Sequence, residues 1–215
     1  MRETWPWLML AGLGAFHGLN PAMGWLFSVA LGLHRGSRRV VWLSLLPIGL
    51  GHALSVMSVA LLFVLAGTLI DGSVVRIAAG ISLIAWAVYH WRFGSRHRVR
   101  VGLQTGLVGL GLWSFLMATA HGAGLMLLPV LLSSSTVEAQ GQTSVHRHHL
   151  LAAASALDGM LATAVHTIAY VAVAGLLAWV VYRKLGLAIL RKAWFNFNLV
   201  WGAVLVASGL FTLLT

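Results

Sequence analysis

Residues 5–33 contain no Asp, Glu, Lys or Arg, and further apolar runs follow at roughly 40–70, 74–91, 101–132, 150–182 and 193–214. A helix crosses a bilayer with about 20 apolar residues, so each run reads as one crossing. The longer runs must tilt, overrun the membrane or contain a break. Composition excludes a water-soluble alternative. Hydrophobic residues make up 60% of the chain, charged residues 8%, and mean hydropathy is +0.91, whereas soluble domains carry about 25% charged residues. The expectation is a single all-α integral membrane domain over residues 1–215, with lipid as its solvent. The first run is too long and too polar at His17 and Asn20 for a cleaved secretion signal.

Loop charge sets the expected orientation. Arg35, Arg38 and Arg39 follow the first run; Arg92, Arg96, Arg98 and Arg100 follow the third; Arg183, Lys184, Arg191 and Lys192 follow the fifth. The other side holds only Arg2, Arg76 and Arg147. The positive-inside rule therefore puts both termini and the second and fourth loops outside the cytoplasm of an inner (plasma) membrane. Trp5, Trp7, Trp42, Trp91, Trp179 and Trp194 lie at span ends, as an interfacial belt requires.

The run lengths read long, long, short, and then repeat. Aligned by order, His17-Gly18 falls beside His121-Gly122 and His52 beside His166, with Pro21 and Pro129 following the His-Gly pairs. This points to a duplication, residues 1–100 against 101–215. Three spans per half is odd, so the copies face opposite ways, as in the inverted repeats of many carriers.

The polar residues inside the runs carry the chemistry. Pro21 cannot donate to the preceding turn, which predicts a break near Gly18 in span 1, and the glycines after His121 invite the same opening in span 4. Non-helical backbone at that depth is tolerated where it is buried in protein or lines a cavity. At 1.5 Å per residue, His17 and His52 each lie about 18 Å from a span end, near the midplane. His121 and His166 are similarly deep, so four histidines converge in depth. Neutral imidazole ligates transition metals and titrates near neutrality, which suits a metal path or a proton relay. Asp158, eight residues before His166, is the one acidic residue within a span and supplies charge compensation or carries protons; capping the helix or pairing with Arg147 is the structural alternative. Packing of Gly102 and Gly106 against a neighbouring helix is a further expectation.

Residues 133–149 form the one long polar loop and end in His146-Arg147-His148-His149, a tract suited to collecting metal outside or simply to solvation. With no cysteine, there are no disulfides or thiolate ligands. Phosphate-binding, nucleophile-elbow, zinc-protease and dinucleotide motifs are absent, so the chain does not read as an enzyme and needs no cofactor. Its net charge of +10 lies in short loops between apolar spans, a topology signal rather than a nucleic-acid surface.

His17-Gly18-Leu19-Asn20-Pro21 resembles the His-x-x-x-Pro signature of the nickel/cobalt efflux (NicO-type) branch of the LysE superfamily. Gly51-His52-Ala53-Leu54-Ser55-Val56 is similar to its Ser-His-x-x-Ser-Val segment. The likeness covers mainly the first third of the chain and departs from the family at Pro21-Ala22-Met23, where the exporters continue Pro-Gly-His. It implies a metal or small-solute exporter with His17, Pro21 and His52 at the site.

The sequence thus leads to a gradient-driven exporter of a transition-metal cation, bound by His17, His52, His121 and His166 on a path shared with Asn20, Pro21, Ser55 and Asp158. Two other readings stay open. One is an exporter of a small organic solute, held by backbone groups freed at the breaks. The other is a non-transporting subunit or assembly factor of a membrane complex. A homo-oligomer is compatible with each.

Overall fold

The computed structural model describes residues 4–93, 106–127, 130, 145–185 and 197–214. Among these residues there are seven α-helices and no strand: α1 (Trp5–Leu19), α2 (Trp25–His34), α3 (Arg38–Leu69), α4 (Gly72–Phe93), α5 (Leu107–Ala120), α6 (Val145–Val180) and α7 (Phe197–Leu214). Two 3₁₀ turns, Pro21–Met23 and Leu125–Leu127, follow α1 and α5, and a π-helical turn, Val181–Leu185, ends α6. Among the described residues three segments are long and apolar enough to cross a membrane: Arg38–Leu62, Ser73–Phe93 and Leu157–Lys184. Their outward faces are apolar, with Leu46 63%, Leu50 65% and Ile168 69% exposed. Water would not tolerate that periphery, and lipid would.

The break in the first apolar run is real but lies later than Gly18. Helix α1 continues through Leu19 and stops at Asn20, whose extended backbone (φ −72°, ψ 117°) is the conformation a following proline imposes. The Asn20 side-chain oxygen accepts from the Ala22 amide at 3.0 Å and caps the Pro21–Met23 turn. Gly24 then takes φ 124°, reachable only without a side chain, and α2 begins. In the second half α5 ends at Ala120, and Gly122 at φ 71° turns the chain into Leu125–Leu127. Proline drives one break and glycine the other; Pro129 lies outside the described residues. Pro47, by contrast, sits inside an unbroken α3.

Glycines set how the helices pack. A Cβ on Gly14 would overlap the His166 carbonyl, and one on Gly18 would meet the Tyr170 carbonyl, so α1 runs parallel to α6 in backbone contact. Gly51 lies likewise on the Gly111 carbonyl while Gly124 meets Val59, so α3 and α5 are also parallel. Gly80 and Gly209 face each other across α4 and α7, and Gly202 abuts Trp91, so that pair is antiparallel. Close backbone approach at small residues is how helices associate in lipid, where the hydrophobic effect gives no drive.

Two expectations are corrected. The polar loop does not extend to residue 149: α6 begins at Val145, so His146, His148 and His149 lie on a helical backbone. Their side chains, and residues 133–144, lie outside the described part. A Cβ on Gly106 would meet no described residue within 4 Å, so among the described residues the close small-residue seam is at Gly14 and Gly18 instead; Gly102 lies outside the described residues. Trp5, Trp42, Trp91 and Trp179 are partly exposed near helix ends, as a belt would have them; Trp194 is outside.

Gly14→Ala is expected to destabilise the protein by about 1–3 kcal/mol through overpacking, read by reversible unfolding in mixed micelles. Gly12→Ala, on the open face of the same helix, is the control, neutral or stabilising by up to about 1 kcal/mol.

Candidate functional site

Because α1 lies against α6 without side chains between them, His17, which stands between Gly14 and Gly18, is carried into the bundle. Its ring contacts His166 at 4.8 Å and His52 at 5.4 Å between centroids, and His52 and His166 are 5.4 Å apart. All three side chains are fully buried. Tyr170 stacks on His52 at 4.3 Å, and Trp201 meets His17 edge-on at 4.4 Å. Aromatic faces thus wall the trio.

Hydrogen bonds fix two of the three tautomers. His17 Nδ1–H donates to the Leu13 carbonyl at 2.8 Å, and His166 Nδ1–H donates across to Leu10 at 3.3 Å. A carbonyl only accepts, so both protons sit on Nδ1 and both Nε2 atoms present lone pairs. Among the described residues those Nε2 atoms are buried without a partner, and so are both ring nitrogens of His52. An orphaned buried polar atom costs about 1–3 kcal/mol, and four of them lie within one trio.

The broken backbone, by contrast, is well supplied with protein donors. Tyr170 Oη–H donates to the Met23 carbonyl. Trp25 Nε1–H lies 3.4 Å from Leu19 O. At the second break the Ala120 carbonyl accepts from Trp86 Nε1–H at 3.0 Å and from His90 Nε2–H at 2.5 Å, and Trp201 Nε1–H donates to His121 O at 2.7 Å. The amides that a small organic solute's carboxylate would need there, among them those of Ala22, Met23, Gly122 and Ala123, are likewise bonded within the protein.

The other expected site residues divide. Asn20 is buried but serves the turn. Pro21 opens that turn. Ser55 donates to Thr119 Oγ1 at 2.8 Å, since the Thr119 hydroxyl is itself spent on Phe115 O, and so ties α3 to α5. His121 does not join the trio: its Nδ1–H donates to Met117 O, and its ring lies against His90 at 5.5 Å and Trp201 at 5.8 Å. Asp158 is half-buried on α6, about 12 Å along the helix from His166. As they stand, no three or more His, Asp or Glu side chains among the described residues are arranged to hold a metal ion.

Sequence reasoning missed Tyr170, Trp201, Trp86 and His90. The usable signal was position: Trp86 and Trp201 stand away from span ends, where an indole N–H needs an acceptor inside the protein. Tyr170→Phe is expected to cost about 1–3 kcal/mol in the same unfolding assay, because Met23 O loses its donor while the stack on His52 remains. Unchanged stability would show that this bond carries no weight.

No protein-family model, no curated protein and no solved structure matches the chain.

Proposed function

We propose that this chain is a six-span inner-membrane carrier of two oppositely oriented three-helix halves, and that it exports a transition-metal cation through His17, His52 and His166. The observation that carries the reading is the trio itself: three touching, fully buried imidazoles, two with Nε2 uncommitted and one with neither nitrogen committed among the described residues. Imidazole nitrogen suits nickel, copper, zinc and their neighbours. The present ring arrangement is not a finished shell. Reorienting His52 to complete it would break no hydrogen bond among the described residues, because His52 makes none there.

The helix pairing supports the inverted halves. Exchanging spans one to three with spans four to six takes the parallel pair α1–α6 onto the parallel pair α5–α3, and the antiparallel pair α4–α7 onto itself. Both halves also begin with a helix that ends beside a His-Gly and passes into a 3₁₀ turn. His17, Pro21 and His52, on which the resemblance to nickel/cobalt exporters rests, lie at or beside the trio. The carbonyls and the amides at the breaks are already bonded within the protein, which favours a cation on imidazole over an organic solute on backbone.

Flux of Ni²⁺, Co²⁺ or Zn²⁺ into proteoliposomes is expected to fall at least about tenfold in His17→Ala and in His52→Ala, with folded protein still abundant. Unchanged flux in both variants would overturn the reading, and no flux together with a stoichiometric co-purifying partner would favour a subunit of a membrane complex. For orientation, a thiol reagent confined to the cytoplasmic side is expected to label His34→Cys and to miss Asp71→Cys. The reverse pattern would invert the topology.

A further inference from the structure

The exchange of halves can be followed residue by residue, and it fails at one place. Aligning His17 with His121 and His52 with His166 also aligns Gly18 with Gly122, Met23 with Leu127 and Leu10 with Ser114. The contact of Leu10 with His166 should then recur as Ser114 with His52. Ser114 does lie there: its hydroxyl donates to Ile48 O, one turn before His52, at 2.7 Å, and Gly51 abuts Phe115. The backbone frame therefore keeps the same register in both halves.

The histidines do not. His17 touches both His52 and His166, whereas its counterpart His121 lies against His90 and Trp201. His166 Nδ1–H holds the Leu10 carbonyl, whereas His52, its counterpart, holds nothing. Two halves with one frame and opposite side-chain states describe one member of a pair of conformations. Trp201 touches both rings in question, His17 in an edge-to-face contact and His121 through ring and carbonyl alike.

From this we infer that the chain has a second conformation with the roles of the halves exchanged, in which His121 replaces His17 beside His52 and His166. In it His52 Nδ1–H donates to the Ser114 carbonyl while His166 releases Leu10. His52 and His166 are then the constant part of the site, and His17 and His121 are alternate ligands, one for each face of the membrane. Packed helices switch between discrete arrangements rather than deform continuously, and inverted halves supply two related ones, of which the arrangement with His17 is the one populated here. The inference rests on the carrier reading above.

The test reads equilibrium binding and flux of Zn²⁺ in the same proteoliposomes. His121→Ala and the conservative His121→Gln are expected to bind within about threefold of the parent, because the site seen here lacks His121, but to lose flux at least about tenfold. His17→Ala is expected to weaken binding by at least about tenfold. Parental flux in the His121 variants overturns the exchange and leaves the trio standing; a binding loss equal to that of His17→Ala overturns it by placing His121 in the same shell. If the parent neither binds nor moves Zn²⁺, Ni²⁺ or Co²⁺, the metal reading falls, and the exchange is judged on thiol labelling alone. The chain has no cysteine, so Met23→Cys and Leu127→Cys, both buried at the two breaks, report singly. Modification from opposite faces is expected; labelling of both from one face, or of neither, overturns the exchange.

Discussion

Everything at the centre of this molecule follows from the absence of side chains at Gly14 and Gly18. With lipid on the outside, helices gain nothing by hiding apolar surface from one another, and close backbone contact must do the holding. The two glycines lay α1 directly on the carbonyls of His166 and Tyr170. His17, between them on the same helix, has no place to go but between α3 and α6. Gly51 on Gly111 and Gly80 on Gly209 repeat the device for the remaining helices. The histidine trio is thus a product of backbone geometry before it is a product of histidine chemistry.

Breaking a helix inside such a bundle exposes carbonyls that lipid cannot satisfy. The chain answers with donors of a particular kind: indole N–H from Trp86, Trp201 and Trp25, phenol O–H from Tyr170 and imidazole N–H from His90. Each is a large apolar body with one polar atom, so it satisfies a carbonyl while filling the core. Against that background the trio stands apart. Donors are spent freely on the breaks, and yet four imidazole nitrogens are left without partners in the most buried part of the protein.

Much of the fold was legible in the sequence because lipid imposes a simple code. Apolar runs located the helices, and the proline after Asn20 located a break, though the helix ran on past Gly18 because proline constrains its predecessor more than residues further back. The gathering of His17, His52 and His166 was legible through depth alone. Depth does not give azimuth, and His121, placed at similar depth, faces Trp201 and His90 instead. The Gly14–Gly18 seam was written in the sequence as plainly as the Gly102–Gly106 pair chosen in its stead. Spacing alone does not say which glycines meet a neighbour. Tyr170 and Trp201 were passed over because aromatic residues in an apolar run look like packing until their polar atom is placed.

Charge constrains what such a site can do. Three neutral imidazoles supply ligands but no compensating charge, and a divalent cation among them in low-dielectric surroundings keeps most of its desolvation cost. Asp158 is half-buried and about 12 Å away along α6, too distant to act as a ligand in this arrangement. On the proposed reading the metal is therefore held loosely, by coordination against electrostatics. For a storage or structural site that balance would be a defect. For a carrier it is the useful regime, because a cation held only by exchangeable imidazoles can be handed from one half to the other and released.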